Sequence, residues 1–229
     1  MTKNKGKARQ AAFRLIRWTL TVLLLVLGGG VAATLIGSLL AGLAAAFIGL
    51  WFLFALFVFY FFRDPNPVVP ATPNVWIAPA HGKVDLVDQV DEPEFMGGPC
   101  RRVSIFLSIF NVHVQYAPAA SQVTWVKQRS GQFMNAMNTQ AATVNENVYL
   151  GLESLENPGE KIGVRLIVGM IARRIVPWVN VGETVQRGER ISIIQFGSRC
   201  DFYLPLTAQV QVKPGDRVRG GETVIALRG

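Results

Sequence analysis

The longest apolar stretch of the chain is a run of 45 residues, 18–62, that contains no charged side chain. A single helix of this length would extend about 67 Å at 1.5 Å per residue, whereas the hydrocarbon core of a bilayer is about 30 Å thick. The pattern therefore predicts two membrane-spanning helices joined by a turn near Gly37, Ser38 and Gly42. The run Gly28–Gly30 is a second candidate for the turn, but it leaves a short first span.

Two other interpretations of this run are weaker. A cleaved signal peptide has an apolar core of about 7–15 residues, which is far shorter. A hairpin buried inside a soluble protein is the other alternative. Aromatic side chains crowd the end of the run, from Phe47 to Phe62, as is typical of a span that ends at a membrane interface.

Charge is distributed unevenly along the chain. Residues 1–17 form a basic tail with six Lys and Arg and no Asp or Glu. The positive-inside rule keeps this tail in the cytoplasm, and a two-span hairpin returns the chain to that side of the cell membrane. The whole chain has 23 basic and 15 acidic residues, so the part from residue 63 onward has 17 and 15, a net charge of +2. This balance argues against a nucleic-acid-binding domain, which carries its basic residues on the folded body.

The pattern changes after the apolar run. Pro65 and Pro67 end the helical pattern, because proline lacks the N–H that a helix interior needs. Short runs rich in β-branched residues follow, separated by Gly, Pro and Asn. They predict a mainly β domain over 63–229, with strands at 75–77, 83–87, 103–107, 112–116, 123–126 and 164–168 and one short helix at 135–143.

A ten-residue pattern, G-[ED]-x-V-x-x-G-E-x-[IV], occurs twice, as Gly182–Ile191 and Gly215–Val224. Its glycines suit turns that need a positive φ. The pattern is similar to the half-motif of lipoyl and biotinyl domains, the barrel-sandwich hybrid, although no carrier lysine lies between the copies. It predicts that architecture, with the two copies paired with each other.

Residues that carry chemistry are few. His81 and His113 are the two histidines, and Cys100 and Cys200 are the two cysteines, too few for a disulfide framework or a paired-cysteine metal site. The chain has no GxSxG elbow and no phosphate-binding loop. The dipeptide Gly197-Ser198 lies between two β runs, where it would by itself indicate a turn.

Several segments together resemble the short bacterial form of the phosphatidylserine decarboxylase family. The resemblance covers essentially the whole chain, including the apolar leader, and it rests on the combination of segments in this order. The segments are FFRDP at 61–65, APAHGKV at 78–84, SIFLSIFNVHV at 104–114, Asn145-Glu146, GMIARRIV at 169–176 and FGSR at 196–199.

This resemblance implies a precursor that cleaves itself between Gly197 and Ser198. The Ser198 hydroxyl attacks the Gly197 carbonyl, and elimination from the resulting ester leaves a dehydroalanine that water converts to a pyruvoyl group, the covalent cofactor. The products are a β chain, 1–197, and an α chain, 198–229, which stay associated through the repeat. The sequence itself predicts no metal site.

The same resemblance implies the reaction and its participants. Phosphatidylserine in the membrane forms a Schiff base with the pyruvoyl group, loses carbon dioxide and leaves as phosphatidylethanolamine. His113 is then the acid that returns a proton, and His81 is a candidate base for self-cleavage. Arg173 and Arg174 are candidates for binding the lipid phosphate, or alternatively a solvated basic pair at a strand end. A homodimer is compatible with this scheme.

The chain departs from the family pattern at three places. His81 stands where the family has Asp, Gln115-Tyr116 where it has Asn-Arg, and Asn147 where it has Arg. The alternatives to an active decarboxylase are therefore a catalytically altered homologue and a non-enzymatic, membrane-anchored adaptor built on the lipoyl-like repeat.

Overall fold

The computed structural model of the protein describes residues 6–34, 38–131, 144–169, 174–195 and 198–229. The predicted helix at 135–143 and the predicted site residues Gly197 and Arg173 lie outside these ranges. The described residues divide into a helical unit, Gly6–Asp64, and a β-rich unit, Pro65–Gly229.

Two helices make up the helical unit, α1 over Lys7–Thr34 and α2 over Ser38–Phe61. Both are long and apolar enough to cross a membrane. Of the first predicted turn position, Ser38 is the first residue of α2 and Gly42 lies inside α2, and the second, Gly28–Gly30, lies inside α1. Phe13 packs edge-on against Phe59 with 6.3 Å between ring centroids, as expected where the start of one helix of a hairpin meets the end of the other.

Much of the surface of these helices is apolar. Trp18, Leu25 and Leu50 are 76%, 73% and 66% exposed. Soluble proteins rarely leave a large apolar surface uncovered. The helices therefore need an apolar environment around them.

One large sheet and two small sheets make up the β-rich unit. The large sheet has eight strands in the order β13-β2-β3-β11-β7-β6-β5-β9, and the small sheets have the orders β1-β14-β12 and β4-β10-β8. The strands that these labels denote are β1 Val75–Ile77, β2 Gly82–Glu92, β3 Gly98–Leu107, β4 Val114–Tyr116, β5 Ser121–Arg129, β6 Asn147–Ser154, β7 Lys161–Val168, β8 Arg174–Pro177, β9 Thr184–Val185, β10 Arg190–Gln195, β11 Ser198–Leu204, β12 Gln209–Val210, β13 Arg217–Val218 and β14 Val224–Leu227.

The large sheet curls around the main apolar core. Trp76, Ile105, Leu150 and Phe202 belong to this core and are fully buried, although they come from four different strands. The unit is mainly β, as predicted, and the predicted strands coincide with observed ones. β4 begins at Val114, two residues later than predicted, because the chain before it still turns through residues 108–111.

The two copies of the ten-residue repeat do not pair with each other, so that prediction was wrong. β9, from the first copy, pairs with β5 at one edge of the large sheet, and β13, from the second copy, pairs with β2 at the opposite edge. β10 and β14 are the central strands of the two small sheets. β9 and β13 have two residues each, and each forms its backbone hydrogen bonds with a longer strand, β5 or β2.

Each copy of the repeat instead binds a matching heptapeptide elsewhere in the chain. The heptapeptides, Ala78–Val84 and Ala117–Val123, share the pattern A-P-A-x-x-x-V. Equivalent backbone hydrogen bonds join each copy to its heptapeptide. In the first copy, Gly182 N donates to Val123 O at 2.7 Å and Gly188 N donates to Ala117 O at 2.8 Å. In the second copy, Gly215 N donates to Val84 O and Gly221 N donates to Ala78 O, both at 2.8 Å.

The segments that contain the two heptapeptides also bind each other reciprocally. Ile77 N donates to Pro118 O at 3.1 Å, and Tyr116 N donates to Pro79 O at 2.8 Å. Such an exchange is what an approximate twofold relation between two similar halves produces. The repeat glycines have positive φ, as predicted, with values of 92° at Gly182, 78° at Gly188, 104° at Gly215 and 78° at Gly221.

Candidate active site

Ser198 is the first residue of β11, near the middle of the large sheet. Its cross-strand neighbours are Leu107 on β3 and Val168 on β7. Its side chain is fully buried, and its Oγ has no hydrogen-bond partner among the described residues. A buried polar group without a partner costs about 1–3 kcal/mol, and such a group calls for an explanation. The hydroxyl of Ser104, on β3, is also fully buried without a partner among the described residues, so the burial of Ser198 marks it as a candidate reacting group only together with the Gly197-Ser198 motif.

The end of β10 brings two other predicted site residues close to Ser198. The backbone N of Ile194 donates to the carbonyl oxygen of His113 at 3.1 Å, and Gln195 is the cross-strand partner of Arg174. Four residues of chain span at most about 14 Å. Ser198 is therefore within a short length of chain of the strand that contacts His113 and pairs with the exposed Arg174.

The buried ring of His113 is oriented by a hydrogen bond. Its Nδ1 lies 2.9 Å from the carbonyl oxygen of Asn111. Because a carbonyl only accepts, Nδ1 carries a proton and donates it to this bond. In the neutral ring, Nε2 then holds the lone pair, so Nε2 is the nitrogen that can take up and return a proton. Asn111 is itself fixed, since its Oδ1 accepts hydrogen bonds from Ser108 N at 2.9 Å and Ser108 Oγ at 2.8 Å.

The segment Asn145-Glu146-Asn147 supports the strand end beside Ser198. Asn145 Nδ2 donates to Val168 O at 2.8 Å, and Val168 N donates to Glu146 O at 3.1 Å. Asn147, which replaces the family's Arg, donates from Nδ2 to Asn145 O at 2.8 Å. The neutral Asn147 side chain is buried, so its amide makes this bond without the desolvation that a cation would require.

His81 lies at the same end of the large sheet, in the turn before β2. β2, β3 and β11 are consecutive strands, and neighbouring strands are about 4.8 Å apart, so the start of β2 is about 10 Å from β11. The His81 ring is half-buried and packs edge-on against Tyr116 with 5.8 Å between ring centroids. A Cβ added to Gly220 would lie 3.0 Å from His81 Cδ2. The His81 ring is thus packed against Tyr116 and lies next to Gly220 of the second copy of the repeat.

Gln115 and Tyr116, the second departure from the family pattern, also make defined contacts. Gln115 Nε2 donates to His113 O at 2.7 Å, and Ser192 Oγ donates to Gln115 Oε1 at 2.7 Å. Tyr116 is the cross-strand partner of the buried Arg190. A cation therefore remains next to position 116, on the neighbouring strand.

A charged group that the sequence did not predict as part of the site follows Ser198 directly. Arg199 is 1% exposed, and its guanidinium binds the carboxylates of Asp85 and Asp201. Burial raises the pKa of the Asp85 carboxyl above its ordinary value of 3.8, although the charge of Arg199 acts in the opposite direction. The alternation of a strand places Arg199 and Asp201 on one face, a signal present in the sequence, but only the sheet order brings Asp85 to them.

Comparison with known proteins assigns the chain to a family. A family model described as phosphatidylserine decarboxylase matches residues 54–226, which include the whole of the large sheet and the segments around Ser198 and His113. The chain belongs to the phosphatidylserine decarboxylase family. This agrees with the resemblance that the sequence segments indicated.

Three curated members of the phosphatidylserine decarboxylase family illustrate the similarity, and each is named phosphatidylserine decarboxylase proenzyme. The protein from Symbiobacterium thermophilum is 42% identical over 190 residues, which are 83% of this chain and 82% of the relative. The protein from Desulfotalea psychrophila is 42% identical over 77% of this chain and 83% of the relative. The protein from Carboxydothermus hydrogenoformans is 42% identical over 79% of this chain and 86% of the relative. The word proenzyme says that each of these relatives is made as a precursor.

Proposed function

We propose that this protein decarboxylates phosphatidylserine to phosphatidylethanolamine and carbon dioxide. The observation that carries the proposal is the coincidence of family membership over residues 54–226 with a fully buried serine hydroxyl that has no hydrogen-bond partner among the described residues. Ser198 is the position at which the family's chemistry requires a reacting hydroxyl. The enzyme is thus a carboxy-lyase made as a zymogen.

Activation begins at the bond between Gly197 and Ser198. Ser198 Oγ attacks the Gly197 carbonyl carbon and the C–N bond breaks, so that the amide becomes an ester and the Ser198 nitrogen becomes an amine. Loss of the Ser198 Hα then expels the Gly197 carboxylate by β-elimination and leaves a dehydroalanine. Water adds, ammonia departs and a pyruvoyl group remains at position 198, with no oxidant or reductant needed. The products are the β chain, 1–197, and the α chain, 198–229.

The Ser198 hydroxyl needs a base, and the substrate carbon later needs an acid. His113 is the proposed group for both, because the Nδ1 contact with Asn111 at 2.9 Å places the lone pair of the neutral ring on Nε2 and because Ile194 connects His113 to the segment that ends at Ser198. His81 is the alternative base for self-cleavage. Its packing against Tyr116 favours a structural role.

The environment of position 198 fits a group made from the chain itself. When formed, the pyruvoyl carbonyl would supply an electrophile for the substrate amine and a sink for the electrons left by carbon dioxide. Residue 198 pairs with β3 on one side and with β7 on the other. Arg174, exposed at the same end of the sheet, and Arg173 are proposed to bind the lipid phosphate by charge-assisted hydrogen bonds.

Strand pairing supports an α chain that stays bound after the cut. Residues of β11 pair with β3 on one side and with β7 on the other, and both neighbours belong to the segment 1–197. Breaking one peptide bond therefore leaves the strand inside the sheet. This pairing replaces the repeat-to-repeat pairing that the sequence predicted.

The proposed location is the cell membrane, with the β-rich unit on the cytoplasmic side. The apolar surfaces of α1 and α2 support two membrane spans. Moving a diacyl lipid into water costs about 0.8 kcal/mol per CH₂. An enzyme tied to the membrane needs to lift only the headgroup of phosphatidylserine out of the bilayer.

The proposed architecture of the β-rich unit is a barrel-sandwich hybrid of the lipoyl type. The equivalent hydrogen bonds between each repeat copy and its heptapeptide, together with the reciprocal exchange between Ile77 and Tyr116 segments, support two related halves. The domain division that goes with it is a basic tail over 1–17, a transmembrane hairpin over 18–62 and a decarboxylase domain over 63–229.

Intact-mass spectrometry of the purified protein tests the proposal. The expected result is two chains, with the 198–229 fragment carrying a blocked, pyruvoyl N-terminus, and carbon dioxide release from phosphatidylserine in mixed micelles. Ser198→Ala should abolish both the cut and the release of carbon dioxide. Carbon dioxide release by an uncut Ser198→Ala protein would show that Ser198 is not the cofactor precursor.

The same measurement separates the alternatives. A catalytically altered homologue gives the two chains without carbon dioxide release, or a single uncut chain. A membrane-anchored adaptor gives a single uncut chain that retains a stable protein partner in a pulldown. Either outcome would remove the proposed decarboxylase.

A further inference from the structure

The side chain of Arg199 is enclosed by two carboxylates from different parts of the chain. Nη1 lies 2.8 Å from Asp85 Oδ2, and Nη2 donates to Asp85 Oδ1 at 3.2 Å, so this contact is bidentate. Nε donates to Asp201 Oδ1 at 3.1 Å. Such a planar, two-bond contact fixes the direction of the guanidinium as well as its distance.

The Arg199 contact lies directly beside the reacting position and crosses the proposed cut. Asp85 is on β2, in the segment 1–197, whereas Arg199 and Asp201 are in 198–229. The contact joins residues 114 positions apart in the chain. Side chains alternate along β11, so the guanidinium lies on the face opposite to the Ser198 side chain and acts on it through the backbone.

We propose that Arg199, clamped by Asp85 and Asp201, is a positioning residue that holds position 198 in register before and after self-cleavage. The proposal rests on the proposed function. Before the cut, the clamp holds the Ser198 backbone while Oγ attacks. After the cut, residue 198 is the N-terminus of the α chain. The ion pair between Arg199, the next residue, and Asp85 then connects this end of the α chain to the β chain.

The physical reason is that a new strand end frays unless something holds it. Cleavage removes the covalent link to β10, so backbone bonds to Leu107 and Val168 are left to hold residue 198. Frayed ends open with almost no free-energy cost. A bidentate ion pair one residue away resists that opening, and a misplacement of about 1 Å costs catalysis as much as 100-fold.

Arg228 offers a matched control at the other end of the α chain. Its Nε lies 3.0 Å from Glu160 Oε2, it also pairs with Glu156, and its side chain is 5% exposed. Both partners are in the segment 1–197. Arg228 is thus a buried arginine whose ion pairs also join the α chain to the β chain. It differs from Arg199 in being remote in sequence from Ser198.

The test compares Arg199→Met, Arg199→Lys and Asp85→Asn with Arg228→Met. For each variant, intact mass gives the rate of cutting after synthesis, thermal melting gives the folded fraction, and decarboxylation per cut molecule gives kcat and KM. We expect Arg199→Met to slow cutting about tenfold or more and to lower kcat about tenfold with KM nearly unchanged. Arg199→Lys should be faster than Arg199→Met in both cutting and turnover, because lysine keeps the positive charge but cannot make the bidentate contact with Asp85.

Arg228→Met should melt at a lower temperature and yet cut and turn over within about twofold of the wild type at a temperature where both are folded. If Arg199→Met does not fold, the Asp85→Asn variant tests the proposal instead. This variant should disturb folding less, since Asp85 is 29% exposed and Arg199 still pairs with Asp201. Rates for Asp85→Asn that match those of Arg228→Met would overturn the clamp. A wild-type protein that is never cut would instead overturn the proposed function, so the two failures are distinguishable.

Discussion

Side chains of β11 alternate between two faces of the large sheet that differ in their chemistry. Cys200 and Phe202 belong to the main apolar core, and strand alternation places Ser198 on the same side. Arg199 and Asp201 point to the opposite side and bind each other there. All five are less than 2% exposed, so the two faces differ in charge and not in how far they are buried.

The difference shows how one strand separates stabilisation, positioning and reactivity. The apolar face supplies most of the burial energy and leaves the Ser198 hydroxyl without a hydrogen-bond partner among the described residues. The charged face adds little net stability, because desolvation offsets much of the attraction in a buried ion pair. It fixes where the backbone of the strand lies, which is what a reacting residue one position away requires.

The largest expected effect comes from removing His113, the proposed acid and base for position 198. His113→Ala should slow both cutting and decarboxylation by about 10²–10⁴-fold, the usual contribution of a general acid or base. His81→Ala is the control, and we expect a much smaller loss. Intact mass and carbon dioxide release measure both. A His81→Ala protein that stays uncut while His113→Ala is cut would assign the base to His81.

The next largest effect concerns the core packing of the apolar face. Phe202→Ala should lower the free energy of unfolding by about 3–5 kcal/mol, because it leaves a cavity in a close-packed core. Leu206, 42% exposed just after β11, is the control, and Leu206→Ala should change stability by no more than about 0.5 kcal/mol. Urea unfolding in detergent checks both. Equal losses would contradict the assignment of Phe202 to the main core.

A smaller effect is expected on the opposite face, where an aromatic cluster adjoins the charged residues. Tyr149 packs against Tyr203 with 5.4 Å between ring centroids, and its hydroxyl donates to Glu92 Oε2 at 3.2 Å. Tyr149→Phe should cost about 1 kcal/mol, because Glu92 keeps its bonds from the backbone N of Phe95 and Met96. The cutting rate should stay unchanged. Urea unfolding and intact mass measure the two quantities.

The smallest effect concerns the thiols of Cys100 and Cys200, which we expect not to react with an alkylating reagent in the folded protein. Burial raises the pKa of the Cys100 thiol to about 11 and raises the pKa of the fully buried Cys200 thiol well above its ordinary value of 9.0. The thiolate is the reactive form, so at pH 8 neither thiol should react with iodoacetamide in the folded protein. Both should react in urea. Labelling of the folded protein at Cys200, measured by mass, would show that the apolar face opens.

The site residues that the sequence predicted are those whose chemistry is local, and those that depend on packing were not predicted. Gly197-Ser198 and His113 follow from short motifs, and the structure brings His113 and Ser198 to the same end of the large sheet through β10. The Arg199 clamp was not predicted, because Asp85 reaches it only through the pairing of β2 with β3 and of β3 with β11. Strand order of this kind has no local sequence signal.

The repeat shows the same limit at the level of the fold. Its glycines and β-branched residues predicted turns and strands, which the structure contains, yet the copies pair with other strands and not with each other. A strand pattern specifies the face that is buried, but it does not specify the partner. The heptapeptides at 78–84 and 117–123 are the actual partners, and the pattern they share is visible in the sequence once the pairing is known.

By itself the sequence determined the two apolar helices, the mainly β body, the family and the bond at which a cut is proposed, because each depends on composition or on residues adjacent in the chain. Tertiary structure alone decided that Ser198 is buried without a hydrogen-bond partner among the described residues and that Arg199 next to it is clamped by Asp85. Both depend on strands distant in sequence that become neighbours in the sheet. Burial and ion pairing arise from that proximity, which no local pattern of residues encodes.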